Sequence, residues 1–202
     1  MSVQLMFPQS FYANTLSINV ESLKKLCYDI KNNDTGRIIS NSGGWQSNDI
    51  VDLDNINIKM LLSEINIHIN KFSKELGIIP ELSVSNFWIN INNTGSTNTN
   101  HVHPKSILSG SFYVDVPENS GDIVFIHPIG NLMESYLQYW NLNFGEDIKT
   151  DSIFLNTKWQ IHTNPNCLLI FPSWIEHKVT RNENTNDRIS ISFNTKPVYN
   201  EK

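Results

Sequence analysis

Two histidines stand one residue apart in "STNTNHVHPKSILSG", at His101 and His103, in a chain with only six histidines among 202 residues. On an extended strand, residues i and i+2 point to the same face. Two imidazoles placed that way can converge on one cation. A third candidate, His177, lies far downstream in "FPSWIEHKV". A metal inside a barrel can take two ligands from an early strand and a third from a late strand lying beside it. Three neutral imidazoles leave coordination positions open, as a catalytic metal needs. Imidazole suits Fe, Zn, Cu and Ni alike, so the ligand type does not name the metal. Without a metal, the same pair is an ordinary surface strand.

The segment after His177 adds a second kind of chemistry. "HKVTRNENTNDRISISFN" places Arg188 and Ser190 two apart on the strand that follows a polar turn, so they share a face. In a hairpin with the His177 strand, that face points into the same barrel. A buried guanidinium needs an anion, binds a carboxylate through two parallel hydrogen bonds, and can be joined there by a hydroxyl. A metal with open positions and an Arg–Ser pair deeper in the same cavity suit a dicarboxylate: one end on the metal, the other on Arg188.

These residues need elements to hold them. "NVESLKKLCYDIKNND" reads as a helix with Leu23, Leu26, Cys27 and Ile30 on one face. "NINIKMLLSEINIHINKFSKELGI" reads as a longer helix carrying Ile58, Leu61, Leu62, Ile65 and Ile69, stopped by Gly77. After Pro80 the character changes to short strands: "ELSVSNFWININN", "SILSGSFYVDVP", "DIVFIHP", "SIFLNTKWQIHT" (with a bend), "CLLIFPSWIEHKVT" and "RISISFNTKPV". "GNLMESYLQYWNLNFGED" reads as an irregular insertion. Two helices followed by about six to eight strands at hairpin spacing give a mostly β, α+β fold with a jelly-roll core. The expected organisation is one domain, with residues 1–80 as helical support and 81–202 as the core.

Bulk properties narrow the function. The net charge of -5 and the lack of a dense Lys/Arg cluster disfavour binding to a nucleic-acid duplex. No apolar run approaches a membrane span, and the N-terminus lacks the pattern of a secretory signal. Cys27 and Cys167 match no disulfide framework or zinc pattern, so a reduced, cytoplasmic protein is expected, in a host cytoplasm if the source is viral. The abundance of Asn and Ile reads as the coding bias of an AT-rich microbial or viral genome.

The ordered set "G-x5-H-x-H" from Gly95 to His103, "SGSFYVDVPENSGDIVFIHP", "LLIFPSWIEHKV" and "RISISFN" resembles the iron- and 2-oxoglutarate-dependent oxygenases, in a microbial and phage branch near the prolyl-4-hydroxylase type. The loop "SGGWQS" is also similar to that branch. The resemblance covers roughly residues 85–195. It implies a double-stranded β-helix, or cupin-like jelly roll, and the co-substrates 2-oxoglutarate and O2 beside Fe(II). It implies metal ligation by His101 and His177, and binding of the far carboxylate of 2-oxoglutarate by Arg188, Ser190 and Tyr113. His103 stands where the common pattern has Asp or Glu. Three explanations stay open: a working three-His iron centre, which is the favoured one; a carboxylate from elsewhere, such as Asp122, taking the third place; or a protein that binds metal without oxygenating anything. Asp122, in "SGDIVF", has the simpler role of a turn residue.

The implied activity is hydroxylation of a small-molecule or peptidyl substrate. The rival readings are a cupin-like three-His metal enzyme that does not use 2-oxoglutarate, and a non-catalytic metal-binding barrel. Trp45 and Gln46, on a Gly-flanked loop, are candidate substrate contacts, since loops often carry function. Trp88 and Trp174 read as core, His68 as a packing or surface residue, and His127 and His162 as turn or strand-end histidines.

Overall fold

The computed structural model describes residues 8–51, 54–149 and 155–199. Strand β1 (Tyr12–Thr15) leads into helix α1 (Val20–Lys31), and the short strands β2 (Asn41–Ser42) and β3 (Trp45–Gln46) precede helix α2 (Ile56–Glu75). Then come β4 (Leu82–Asn92), β5 (Thr97–His101), β6 (Leu108–Asp115), β7 (Ile123–Ile126), helix α3 (Gly130–Tyr139), β8 (Lys158–Ile161), β9 (Cys167–Pro172), β10 (His177–Val179) and β11 (Arg188–Pro197). A six-stranded antiparallel sheet runs in the order β1-β9-β6-β11-β4-β3, and a five-stranded one in the order β2-β5-β10-β7-β8. Together they form a double-stranded β-helix.

Helices α1 and α2 each start on an asparagine cap. Asn19 accepts from Ser22 N–H, and Asn55 accepts from the N–H groups of Asn57 and Ile58, which satisfies donors left open by the first turn. Past α2, Gly77 turns the chain at φ +78°. Ile58, Leu61, Ile65 and Ile69 are buried as their spacing predicts, against Phe87, Ile89 and Ile91 of β4 and Ile189, Ile191 and Phe193 of β11. Amide side chains fix the register of helix on sheet. Asn70 both donates to Leu82 C=O and accepts from Leu82 N–H, and Asn66 accepts from Val84 N–H. His68 packs, as expected, taking a 2.8 Å hydrogen bond with the Tyr12 hydroxyl of β1.

The large sheet is therefore covered on one face by helices and on the other by the small sheet. This explains why β11 is buried almost throughout, although its sequence alternates polar and apolar. Ile189, Ile191 and Phe193 face the helices; Arg188, Ser190 and Ser192 face the interior between the sheets.

Three expectations change. "CLLIFPSWIEHKVT" is two strands, because Pro172 ends β9 and a turn with Ile175 N–H bonded to Pro172 C=O sends the chain into the other sheet as β10. β10 and β11 are consequently no hairpin: they lie in opposite sheets, and Arg188 faces the His177 side across the interior. "GNLMESYLQYWN" contains a true helix, α3. It has no side-chain cap and only Gly130 is buried in it, so neither a start signal nor a core-facing stripe marked it. In "SIFLNTKWQIHT" the strand is confined to Lys158–Ile161, and residues 151–154 lie outside the described residues. Within the first eighty residues, β1, β2 and β3 join the sheets beside the two helices.

The β2–β3 connection crosses from one sheet to the other. Asn41 and Ser42 pair with β5, and Trp45 and Gln46 pair with β4. Gly43 and Gly44 make that crossing at φ +70° and +68°. A Cβ on Gly44 would lie 2.9 Å from the Ile91 carbonyl, whereas one on Gly43 would meet the movable Ser96 hydroxyl at 3.3 Å. Gly44→Ala is expected to lower stability by roughly 1–3 kcal/mol, and Gly43→Ala by less. Urea midpoints of the two variants check the order.

Candidate active site

His101 closes β5 and is the direct cross-strand partner of His177 on β10, so their side chains share a face. Strand β5 ends at His101, and His103 lies just beyond it, anchored by its own N–H to the Ser173 carbonyl at 2.9 Å. The pair therefore converges through a strand end followed by a turn. Ring centroids are 4.3 Å apart for His101 and His177, 5.1 Å for His103 and His177, and 5.2 Å for His101 and His103. One nitrogen from each ring lies within 4.8 Å of the others, which suits ligation of a single ion. Asp122 is elsewhere. It holds His162 Nδ1 at 2.7 Å and Gln160 Nε2 at 2.6 Å, and belongs to no metal-ligating group among the described residues.

The backbone fixes two of the rings by one device. His101 Nδ1 lies 2.7 Å from Thr99 C=O and His177 Nδ1 lies 2.9 Å from Ile175 C=O, each two residues upstream. A carbonyl only accepts, so each Nδ1 carries the proton and each Nε2 presents a lone pair. This is the usual orientation of metal-bound histidine. His177 Nε2 meets His103 Nε2 at 3.2 Å. Burial, and then the neighbouring His101, hold His103 down at about 4 and His177 at about 3; burial also lowers His101. Neutral rings at neutral pH are the form that ligates a metal.

On the opposite wall, Arg188 is 2 % exposed. Among the described residues it forms no ion pair, and its Nε has no hydrogen-bond partner. Its guanidinium carbon sits 5.0 Å from the Tyr113 ring centroid. Tyr113 is the cross-strand partner of Ser190. Burial raises the Tyr113 hydroxyl to about 12 against the opposing pull of Arg188, so it stays a neutral donor. All three line the same cavity as the three histidines. Open grooves also run along α2 and α3, but they are lined by neither the histidines nor Arg188.

Trp45 and Gln46 do not line this cavity. The Trp45 indole donates to Asp34 C=O and packs on the helix-side core, and Gln46 is buried on β3. Of the two tryptophans expected in the core, one is buried and the other is not. Trp88 is buried but lines the cavity, stacked on His103 at 5.5 Å, and Trp174 is 60 % exposed. Asn90, Ser111 and Ser192 also line the cavity. The period-two pattern of "FWININ" marks Trp88 and Asn90 as one face, but does not show that this face turns inward.

The donor set fits an iron–2-oxoglutarate pair on these grounds: neutral imidazoles with two lone pairs fixed by the backbone, and a buried guanidinium without an anion. Residues 86–194 match the family model described as "Putative 2OG-Fe(II) oxygenase". No curated protein matches the sequence. Among solved structures, a Pseudomonas putida prolyl-4-hydroxylase is similar at TM-score 0.63 and 10% identity, over 95% of this chain and 94% of that one. A Trichoplax adhaerens prolyl hydroxylase in complex with a hypoxia inducible factor peptide fragment gives 0.63 and 13%, over 92% and 82%. The epimerase SnoN in complex with Fe3+, alpha ketoglutarate and nogalamycin RO gives 0.64 and 12%, over 94% and 79%. At such identities these structures share the fold. His177→Ala is expected to abolish the rise in melting temperature that Mn(II) gives the unaltered protein. That rise corresponds to roughly 2.7 kcal/mol at a hundredfold excess over Kd, and thermal-shift titration reads it.

Proposed function

The chain belongs to the 2OG-Fe(II) oxygenase family that matches residues 86–194, and from that premise we propose that it hydroxylates a small-molecule or peptidyl substrate with His101, His103 and His177 as the protein ligands of Fe(II). Arg188, with Ser190 and Tyr113, binds the far carboxylate of 2-oxoglutarate. The observation that carries this reading is the buried Arg188, unpaired by any carboxylate among the described residues, in the same cavity as three neutral imidazoles. A desolvated guanidinium asks for an anion, and a dicarboxylate spanning from it to a metal meets both needs.

The iron and 2-oxoglutarate, when bound, supply the oxidation of a substrate C–H bond by O2, with release of succinate and CO2. The chain's own residues prepare for it. The backbone carbonyls of Thr99 and Ile175 hold two rings in the ligating tautomer. Tyr113 and Arg188 set the depth of the co-substrate. Phe171 and Trp88 wall the rings against water. In this reading residues 81–202 carry the chemistry and residues 1–80 brace the large sheet.

Among solved structures of this fold, the Trichoplax adhaerens enzyme is in complex with a peptide fragment and SnoN with nogalamycin RO, which supports either substrate class. The acidic net charge favours substrates other than a nucleic-acid duplex. Cys27 and Cys167 are free, and reduced iron favours a reducing compartment, so we place the protein in the cytoplasm. Among the described residues, no helix is long and apolar enough to cross a membrane.

Two measurements test the reading. With Fe(II) under air, the protein is expected to release succinate from 2-oxoglutarate, slowly without substrate. Arg188→Ala is expected to weaken 2-oxoglutarate binding about thirtyfold or more, as loss of one partner of a buried charge pair costs about 2–5 kcal/mol, while Mn(II) still raises the melting temperature. Unchanged 2-oxoglutarate affinity in that variant would refute the assignment of Arg188. In a second variant, His103→Asp, the common two-His, one-carboxylate set is restored, and Fe(II) affinity is expected to rise. A complete loss of metal binding there would show that the slot is not His103's.

A further inference from the structure

Helix α3 carries two stripes. Gly130, Met133, Glu134 and Leu137 are its less exposed residues and lie toward the chain. There Glu134 accepts from the Thr157 hydroxyl at 2.5 Å and pairs with Lys158 at 3.7 Å. Ile129, at the N-cap, and Leu132, Tyr136 and Tyr139 lie on the other side, between 55 and 78 % exposed, and Trp140 follows them at 70 %. The helix thus turns its only charge, Glu134, inward and leaves its largest apolar groups in water.

Such a helix lacks the support that usually keeps one folded. Most helical stability in proteins comes from packing an apolar face, and an isolated helix of fewer than about 12 residues is marginal in water. α3 has ten residues and no side-chain cap, and among the described residues none of its side chains belongs to either hydrophobic core. The uncovered stripe is also large. Three aromatic rings exposed to this degree, with Ile129 and Leu132, leave on the order of 600 Å² of mostly apolar surface, at the upper end of what monomers expose.

The spacing of the stripe matches a copy of itself. Ile129, Leu132, Tyr136 and Tyr139 recur at intervals of three, four and three residues, which is the seam along which two helices pack. Two such faces together bury about 1,200 Å², where specific, stable interfaces begin. The polar residues flanking the seam, Asn131, Ser135 and Gln138, are uncharged, as suits the apolar, charge-poor interface of a homodimer. α3 has no Lys or Arg, the residues by which an amphipathic helix lies on an anionic membrane. We propose that α3 is a dimerisation element: the stripe from Ile129 to Tyr139 packs on the same stripe of a second copy across a two-fold axis. This surface and the histidine cavity are independent, so either assignment can fail without the other.

The test uses the full chain with Tyr136→Glu, Tyr139→Glu and, as a control on an exposed residue away from α3, Ile79→Glu. Sedimentation velocity between about 1 and 100 μM is expected to show a dimer, twice the chain's 23.2 kDa, for the unaltered protein and for Ile79→Glu. In each tyrosine variant the dimer is expected to be at least about thirtyfold weaker, since a charge then sits in the seam. Hydrogen exchange is expected to show residues 131–139 protected in the dimer and open in both tyrosine variants. The substituted side chains are exposed, so cooperative melting is expected to persist, and each tyrosine variant stands in for the other if one does not fold. A monomer throughout this range overturns the proposal, whether or not it associates with phosphatidylserine vesicles. A dimer that neither tyrosine variant weakens overturns it as well.

Discussion

The interior-facing row of β11 is polar, and a polar face turned away from water is tolerable only if something polar fills the space in front of it. Arg188 is the extreme case: a full charge, 2 % exposed, with no ion-pair partner among the described residues. A buried unpaired charge costs several kcal/mol, so such a face is hard to keep unless a ligand complements it. The apolar row of the same strand makes it possible. Ile189, Ile191 and Phe193 are fully buried against α1 and α2, which hold the strand in place whether or not the cavity is filled. Helices on one side thus let the sheet present unfavourable chemistry on the other.

Charge also shapes how metal and co-substrate depend on each other. Divalent iron bound to two imidazoles and a carboxylate keeps one net positive charge; in the proposed three-imidazole set it keeps two. With Arg188 the cavity would then hold three positive charges before 2-oxoglutarate enters, and a dianion removes two of them. The co-substrate takes over part of the work that a protein carboxylate does in the common triad. In that set metal and 2-oxoglutarate binding would be more strongly coupled than where the protein supplies the anion, and the coupling would be reciprocal. Lowered imidazole basicity through burial acts in the same direction, since the empty site does not fill with protons near neutral pH.

Much of this was legible in the sequence because period two and period 3.6 are local. The faces of α1 and α2, strands β4, β6, β7 and β11, and the pairing of Arg188 with Ser190 follow from spacing alone. What spacing could not show was which side of an alternating strand is inside. "FWININ" and "RISISFN" read equally well as strands with a solvated polar face, so Trp88, Asn90 and Ser192 stayed hidden until the second sheet covered them. The switch at Pro172 was missed for a related reason: "CLLIFPSWIEHKV" is apolar and β-rich throughout, and only the hydrogen-bond pattern reveals that its two halves serve different sheets. The true placement still brings Arg188 to the histidines, by facing sheets in place of a hairpin.

That placement makes the site a property of closure. His101 and His177 belong to the five-stranded sheet, and Arg188, Tyr113 and Ser190 to the six-stranded one. His103 lies between them, its backbone tied to the turn that carries the chain from one sheet to the other. Neither sheet alone carries both the histidines and Arg188. A ligand that bridges from the histidines to Arg188 would therefore span the same gap as the Gly43–Gly44 crossing, and join the sheets at the depth where the protein itself has left polar groups facing one another. Binding and folding draw on one interface, which is why the residues that look most costly to the empty fold are those that the chemistry requires.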